Sequence, residues 1–145
     1  MITIYTIGHS NHRWEQFLDL LKTHVIETLV DVRSKPVSRW AAFANIRTLP
    51  TLLGREGIHY VFMGDSLGGK PPDHELYGEN GMPDYAKMAS QPAFQKGTDE
   101  LLELAKGSST AVMCAEGDPS QCHRTLLLGP ALEERGVALV HIRRT

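Results

Sequence analysis

Cysteine is scarce in this chain of 145 residues, which holds only Cys114 and Cys122. Two are too few for a secreted disulfide scaffold, and in a reducing compartment they leave thiol chemistry or metal binding as the options. Long apolar runs are missing too. None approaches the roughly 20 residues needed to cross a bilayer, so no membrane contact is expected. Residues 1–10 lack the basic start and small-residue cleavage site of a signal peptide, which points to a cytoplasmic protein. Nor does charge of one sign dominate. The formal net charge of −2 argues against binding nucleic acid through bulk charge and leaves room for a local basic pocket. Arg33, Lys35 and Arg39 lie close together, and Arg143 and Arg144 follow near the C-terminus; such charges also serve as a solvated surface. There is no internal repeat, low-complexity tract or linker, so residues 1–145 read as a single α/β domain.

What is present alternates between two periods. Ile2, Ile4, Tyr5 and Ile7 read as an opening strand, and Ser10 or Asn11 as the N-cap of a helix carrying Trp14, Phe17, Leu18 and Leu21. Thr28–Val32 is a second strand, apolar enough for a sheet covered on both faces. Residues 38–44 read as irregular or short-helical. Leu49, Leu52 and Leu53 mark a helix that tolerates Pro50 in its first turn and stops at Gly57. His59–Met63 is a third strand. Residues 64–84 hold eight glycines and prolines and read as a long loop of the kind that forms lids or binding loops. Tyr85 and Met88 suggest a short helix, and Phe94 to Ala105 a longer one. Thr110–Ala115 is a fourth strand. Ser120 or Gln121 opens a helix carrying Leu126, Leu127, Ala131 and Leu132, in which Pro130 should produce a kink. Gly136 ends that helix, and Val137–Ile142 is a fifth strand. The expected fold is three-layer α/β, a mainly parallel sheet of about five strands with helices on both faces. In such sheets ligands bind beyond the carboxyl ends of the strands, a rule that collects Gly8, His9, Ser10, Asp31, Arg33, Cys114, Glu116 and the start of the last helix into one region.

Five segments then carry a resemblance. Thr6-Ile-Gly-His-Ser10, Leu29-Val-Asp-Val-Arg33, Leu67-Gly-Gly69, Met113-Cys-Ala-Glu116 and Cys122-His-Arg124 resemble, in that order, the landmarks of the "domain of unknown function 488" family. The similarity spans essentially the whole chain. It implies a compact α/β domain of bacteria and archaea and brings no established reaction. A fainter likeness joins Leu29-Val-Asp-Val-Arg33 to the Asp-Val-Arg strand of rhodanese-type sulfurtransferases and their phosphatase relatives, which place a catalytic cysteine at a strand end before a loop of backbone amides and an Arg. Cys114 and Arg124 resemble that pair. Nine residues separate them here, a longer interval than in those enzymes, and Glu116 and Asp118 between them would repel an anion.

The residues themselves propose a constellation. Cys122 is expected in the first turn of a helix beside His123 and Arg124, where free amides and positive charge favour a thiolate; it reads either as a nucleophile or as a small residue packing the helix onto the sheet. Cys114, at the end of an apolar strand, reads as structural, as an alternative nucleophile, or as a disulfide partner of Cys122. His9 or His123 would be the acid/base and Glu116 a further catalytic candidate. Arg33, Arg39 and Arg124 would hold an anionic group, with Ser10 and Asp31 beside them; Asp31 and Arg33 read equally as an ion pair that holds the site. Gly68 and Gly69 would supply backbone amides or merely turn the chain. Trp40 and Phe43 pack the core or offer a stacking surface. A cluster of His9, Cys114, Glu116, Cys122 and His123 could bind zinc, though without the paired spacing of a zinc motif; no cofactor is otherwise evident. Three functions follow: a thiol-dependent transferase or hydrolase acting on a phosphate- or sulfur-bearing substrate, nucleotides included; a non-catalytic ligand- or nucleic-acid-binding module with structural cysteines; and a metal-site protein.

Overall fold

The computed structural model describes residues 2–39, 41–116 and 127–143. Its centre is a five-stranded sheet of order β3-β2-β4-β1-β5, with every neighbouring pair parallel. The strands are β1 (Thr3–Gly8), β2 (Thr28–Asp31), β3 (His59–Phe62), β4 (Thr110–Cys114) and β5 (Ala138–His141). The helices are α1 (Trp14–Thr23), α2 (Leu49–Arg55), α3 (Gly64–Leu67), α4 (Tyr85–Ala89), α5 (Pro92–Gly107) and α6 (Gly129–Glu133). Parallel neighbours need crossovers, which the helices provide. The α/β expectation holds.

Strand alternation divides the core in two. Ile7, Leu29, Ala111 and Met113 face one side, where Phe17 and Leu21 of α1 and Leu49 and Leu53 of α2 cover them. Ile4, Val30, Val112 and Cys114 face the other, beneath Phe94 and Leu101 of α5 and Leu132 of α6. Full burial of each such side chain contributes about 1.5–3 kcal/mol. The central strands β2 and β4 are buried at every position, which accounts for their unbroken apolar reading. Among the described residues, no helix is long and apolar enough to cross a membrane.

Two local expectations change. Helix α1 is capped by Arg13, whose amide donates to the Gln16 side chain at 3.0 Å, not by Ser10 or Asn11; those two are taken into the turn that continues β1. The stretch from 64 to 84 is more ordered than its glycines and prolines suggest. It contains α3, a 3-10 turn at His74–Leu76 and a bridge between Tyr77 and Pro83, because Leu67 and Leu76 are buried and anchor it. Pro130 lies in the first turn of the α-helical segment α6, and the kink expected at it takes the form of π-helical winding at residues 127 and 128 just before it. A proline that cannot donate to the preceding turn permits that widening. The expected start of this helix at Ser120 or Gln121, and Leu126 with it, lies outside the described residues, as does Trp40. Phe43 packs in the core, 5.1 Å centroid to centroid from Phe17 and 5.7 Å from Trp14.

Candidate functional site

The β1 end is set by β4. The amides of His9 and Ser10 donate to the carbonyls of Cys114 and Ala115 at 3.0 and 2.9 Å, so the chain turns away from the sheet with Ser10 at φ 47°. This left-handed conformation is uncommon for serine and is a form of strain that concentrates at functional sites. The His9 side chain is only 3% exposed. Its Nδ1 lies 3.0 Å from the Ser10 carbonyl, which can only accept, so Nδ1 carries the proton and Nε2 presents a lone pair. That Nε2 is buried and, among the described residues, has no hydrogen-bond partner. Burial holds the His9 pKa below the ordinary value of 6.5; the hydrogen bond to Ser10 opposes the shift and the Arg33 charge reinforces it. His12 repeats the tautomer, with Nδ1 2.8 Å from the His9 carbonyl.

Asp31 and Arg33 point to the same side of the sheet as His9. Asp31 is fully buried and accepts from the Arg33 amide at 3.1 Å, Arg33 Nε at 2.9 Å, Arg33 Nη2 at 2.7 Å and the Tyr60 hydroxyl at 2.6 Å. Arg33 Nη2 also donates to the Ala44 carbonyl, while Nη1 is buried and has no partner among the described residues. The ion-pair reading of Asp31 and Arg33 is therefore the observed one, and among the described residues one edge of the guanidinium is unused. Tyr60, half-buried beside the carboxylate, has its phenol pKa pushed well up by burial and then by the bond to Asp31. In the sequence Tyr60 is one apolar-strand residue among others; its role depends on the β2–β3 register of Leu29 against Tyr60 and Asp31 against Phe62, which no local signal carries.

A cleft of about 550 Å³ opens here, lined by His9, Ser10, Asn11, Ser38, Arg39 and Glu116 among others. It unites four predicted site residues, His9, Ser10, Arg39 and Glu116, with Arg39 and Glu116 exposed at its edge. Asn11 and Ser38 are lining residues that the sequence does not single out. The remaining predictions separate. Cys114 is 1% exposed. It belongs to the apolar cluster on the α5 and α6 side, across the sheet from His9, and its thiol donates to the Glu116 carbonyl at 3.6 Å. Gly68 turns its amide back to the Gly64 carbonyl at 3.0 Å. A Cβ there would stand 2.3 Å from both that carbonyl oxygen and Ser34 Oγ, so this glycine permits close backbone packing and its N–H is already used. Gly69 is buried beside it. Neither lines the cleft, and among its described lining residues none comes from 64–84, since α3 packs against α5. Cys122, His123, Arg124 and Asp118 lie outside the described residues. Among the described residues no group of three or more His, Cys, Asp or Glu converges as a metal site. A second cavity of about 470 Å³, between α4, α5 and α6, holds none of the predicted site residues.

The model of a family described as "Domain of unknown function DUF488" matches residues 13–129. The chain belongs to the DUF488 family. The match takes in β2 to β4 and the Asp31–Arg33 pair, and it begins just after His9 and Ser10. No curated protein and no solved structure matches the chain, so the Asp-Val-Arg likeness to rhodaneses finds no support there. DUF488 is an uncharacterised family, and its name carries no reaction. Function has to be argued from the site.

Proposed function

We propose that this DUF488 chain is a thiol-dependent transferase or hydrolase acting on an anionic, phosphate- or sulfur-bearing substrate, nucleotides included, in the cleft at the carboxyl ends of β1, β2 and β4. The observation that carries the reading is the His9 imidazole: nearly fully buried, neutral near pH 7, its tautomer set by Ser10, and its Nε2 lone pair unused among the described residues. A buried basic nitrogen with no partner is costly to maintain and suits a general base. On sequence grounds the nucleophile is Cys122. Its S–H proton passes to His9 Nε2, the thiolate attacks the electrophilic centre, and the imidazolium, disfavoured by burial, returns the proton to the leaving group. Arg39 meets the anionic group at the rim, and Glu116 on the other rim orients it toward Arg39.

Iodoacetamide labelling of the folded protein across pH tests this, with Cys114→Ser and Cys122→Ser variants assigning each thiol and His9→Gln removing the base. The expected result is rapid labelling of Cys122 with an acidic midpoint that rises in the His9→Gln variant. The non-catalytic alternative draws support from the sealed position of Cys114. It predicts labelling of both thiols only on unfolding, with no effect of His9→Gln, and that outcome would remove the enzymatic account.

A further inference from the structure

The charge around the cleft bears on the size of the ligand. The connections β1–α1 and β2–α2, residues 9–13 and 32–48, line the cleft through residues 9–11 and 37–39 and hold Arg13, Arg33, Lys35, Arg39 and Arg47 without one Asp or Glu; of these cations Arg39 is in the lining itself. Arg33 is committed to Asp31. The other four are exposed, and none forms an ion pair among the described residues; elsewhere Lys22, Lys106 and Arg135 pair with Glu56, Glu103 and Asp99, while the exposed Arg55, Lys70, Lys87 and Lys96 do not. The β3–α4 connection, on the α5 side of the sheet, reverses the pattern, with five carboxylates against Lys70. A chain of net charge −2 thus carries four exposed cations, unpaired among the described residues, on the two connections that supply one side of its cleft, with Glu116, just beyond β4, also in the lining.

We infer that this side binds the phosphate backbone of a single-stranded nucleic acid, one nucleotide of which enters the cleft; the inference rests on the cleft being the substrate site. Four cations without an ion pair among the described residues, spread over two connections, exceed what one phosphate needs, and releasing their counterions favours a polyanion. His9 Nε2 is buried, so a group it serves has to enter the cleft, which an unpaired nucleotide can do and a stacked base pair cannot. Val37 lines the cleft and Ile46 follows on the same connection, 63% and 37% exposed, an apolar surface for an unstacked base.

Fluorescence anisotropy with a labelled single strand of about ten nucleotides tests this over a salt series. Binding should weaken steeply with salt. In an Arg13→Gln, Arg39→Gln, Arg47→Gln triple variant the log–log slope should fall by about 2, since each phosphate neutralised on a single strand adds roughly 0.7 to it. A Lys87→Gln, Lys96→Gln control, on α4 and α5, should bind like the parent. An equal loss in the control, tighter binding of duplex than of single strand, equal binding of heparin, or a mononucleotide competing as well as the oligonucleotide would each overturn the inference. Thiol labelling does not read these exposed arginines. Labelling as expected without oligonucleotide binding therefore refutes this inference alone, and the converse refutes the thiol mechanism alone.

Discussion

At the scale of single residues, the buried polar groups decide most. Asp31 is 0% and Arg33 4% exposed, so removing one charge leaves the other stranded. Arg33→Leu should destabilise the protein by about 3–5 kcal/mol. Tyr60→Phe, which removes one of several donors to the same carboxylate, should cost less, about 1.5–3 kcal/mol. Urea denaturation measures both, and the reverse order would show that Asp31 is not held mainly by Arg33. His9 ties stability to pH. Its folded pKa is held below the 6.5 of an unconstrained imidazole, so between those two values the unfolded chain binds more protons. The contribution is complete above the unfolded pKa and is lost as pH falls toward the depressed folded value. Unfolding free energies at about pH 7.5 and at progressively lower pH should decline through that window in the parent and decline less in His9→Gln; parallel curves would mean that His9 titrates normally.

At the scale of elements, helix ends show one device used three times. After α2, Gly57 at φ 74° donates to the Gly54 carbonyl and Ile58 to Leu53; after α6, Gly136 at φ 76° donates to Glu133 and Val137 to Leu132. This paired bonding satisfies the last carbonyls and requires a left-handed residue, for which glycine carries no Cβ penalty. Helix α1 closes the same way, Val25 to Lys22 and Ile26 to Leu21, but the left-handed residue is Val25 at φ 54°, 71% exposed. A non-glycine residue there costs about 1–2 kcal/mol, set against about 0.5–1 kcal/mol for the extra freedom of glycine in the unfolded chain. Val25→Gly should therefore stabilise the protein by about 1 kcal/mol in chemical denaturation; a loss of stability would show that the valine side chain contributes packing beyond the strain it bears. The glycine stops at 57 and 136 were legible in the sequence. The end of α1 was not, because a β-branched residue gives no sign of a left-handed turn.

At the scale of the whole molecule, strand and helix periods were enough to predict a parallel α/β sheet and to assign the site region to its carboxyl edge, since crossover helices send every strand in the same direction. His9, Ser10, Arg39 and Glu116 meet in the cleft for that reason. The sheet's neighbours and facing sides were a different matter. Strand order places β4 between β2 and β1, and the pleat then sends Cys114 into the apolar layer under α5 while His9 and Arg33 face α1 and α2. A one-residue change of register would exchange those sides. The sequence by itself determined the class of fold and the end of the sheet where the cleft opens, because hydrophobic periodicity and helix stops are local. Only the tertiary structure decided that Tyr60 completes the Asp31–Arg33 network, that Gly68 uses its amide within its own loop, and that His9 is buried with its Nε2 unpartnered among the described residues. Those facts depend on pairings between segments tens of residues apart, and no window along the chain contains them.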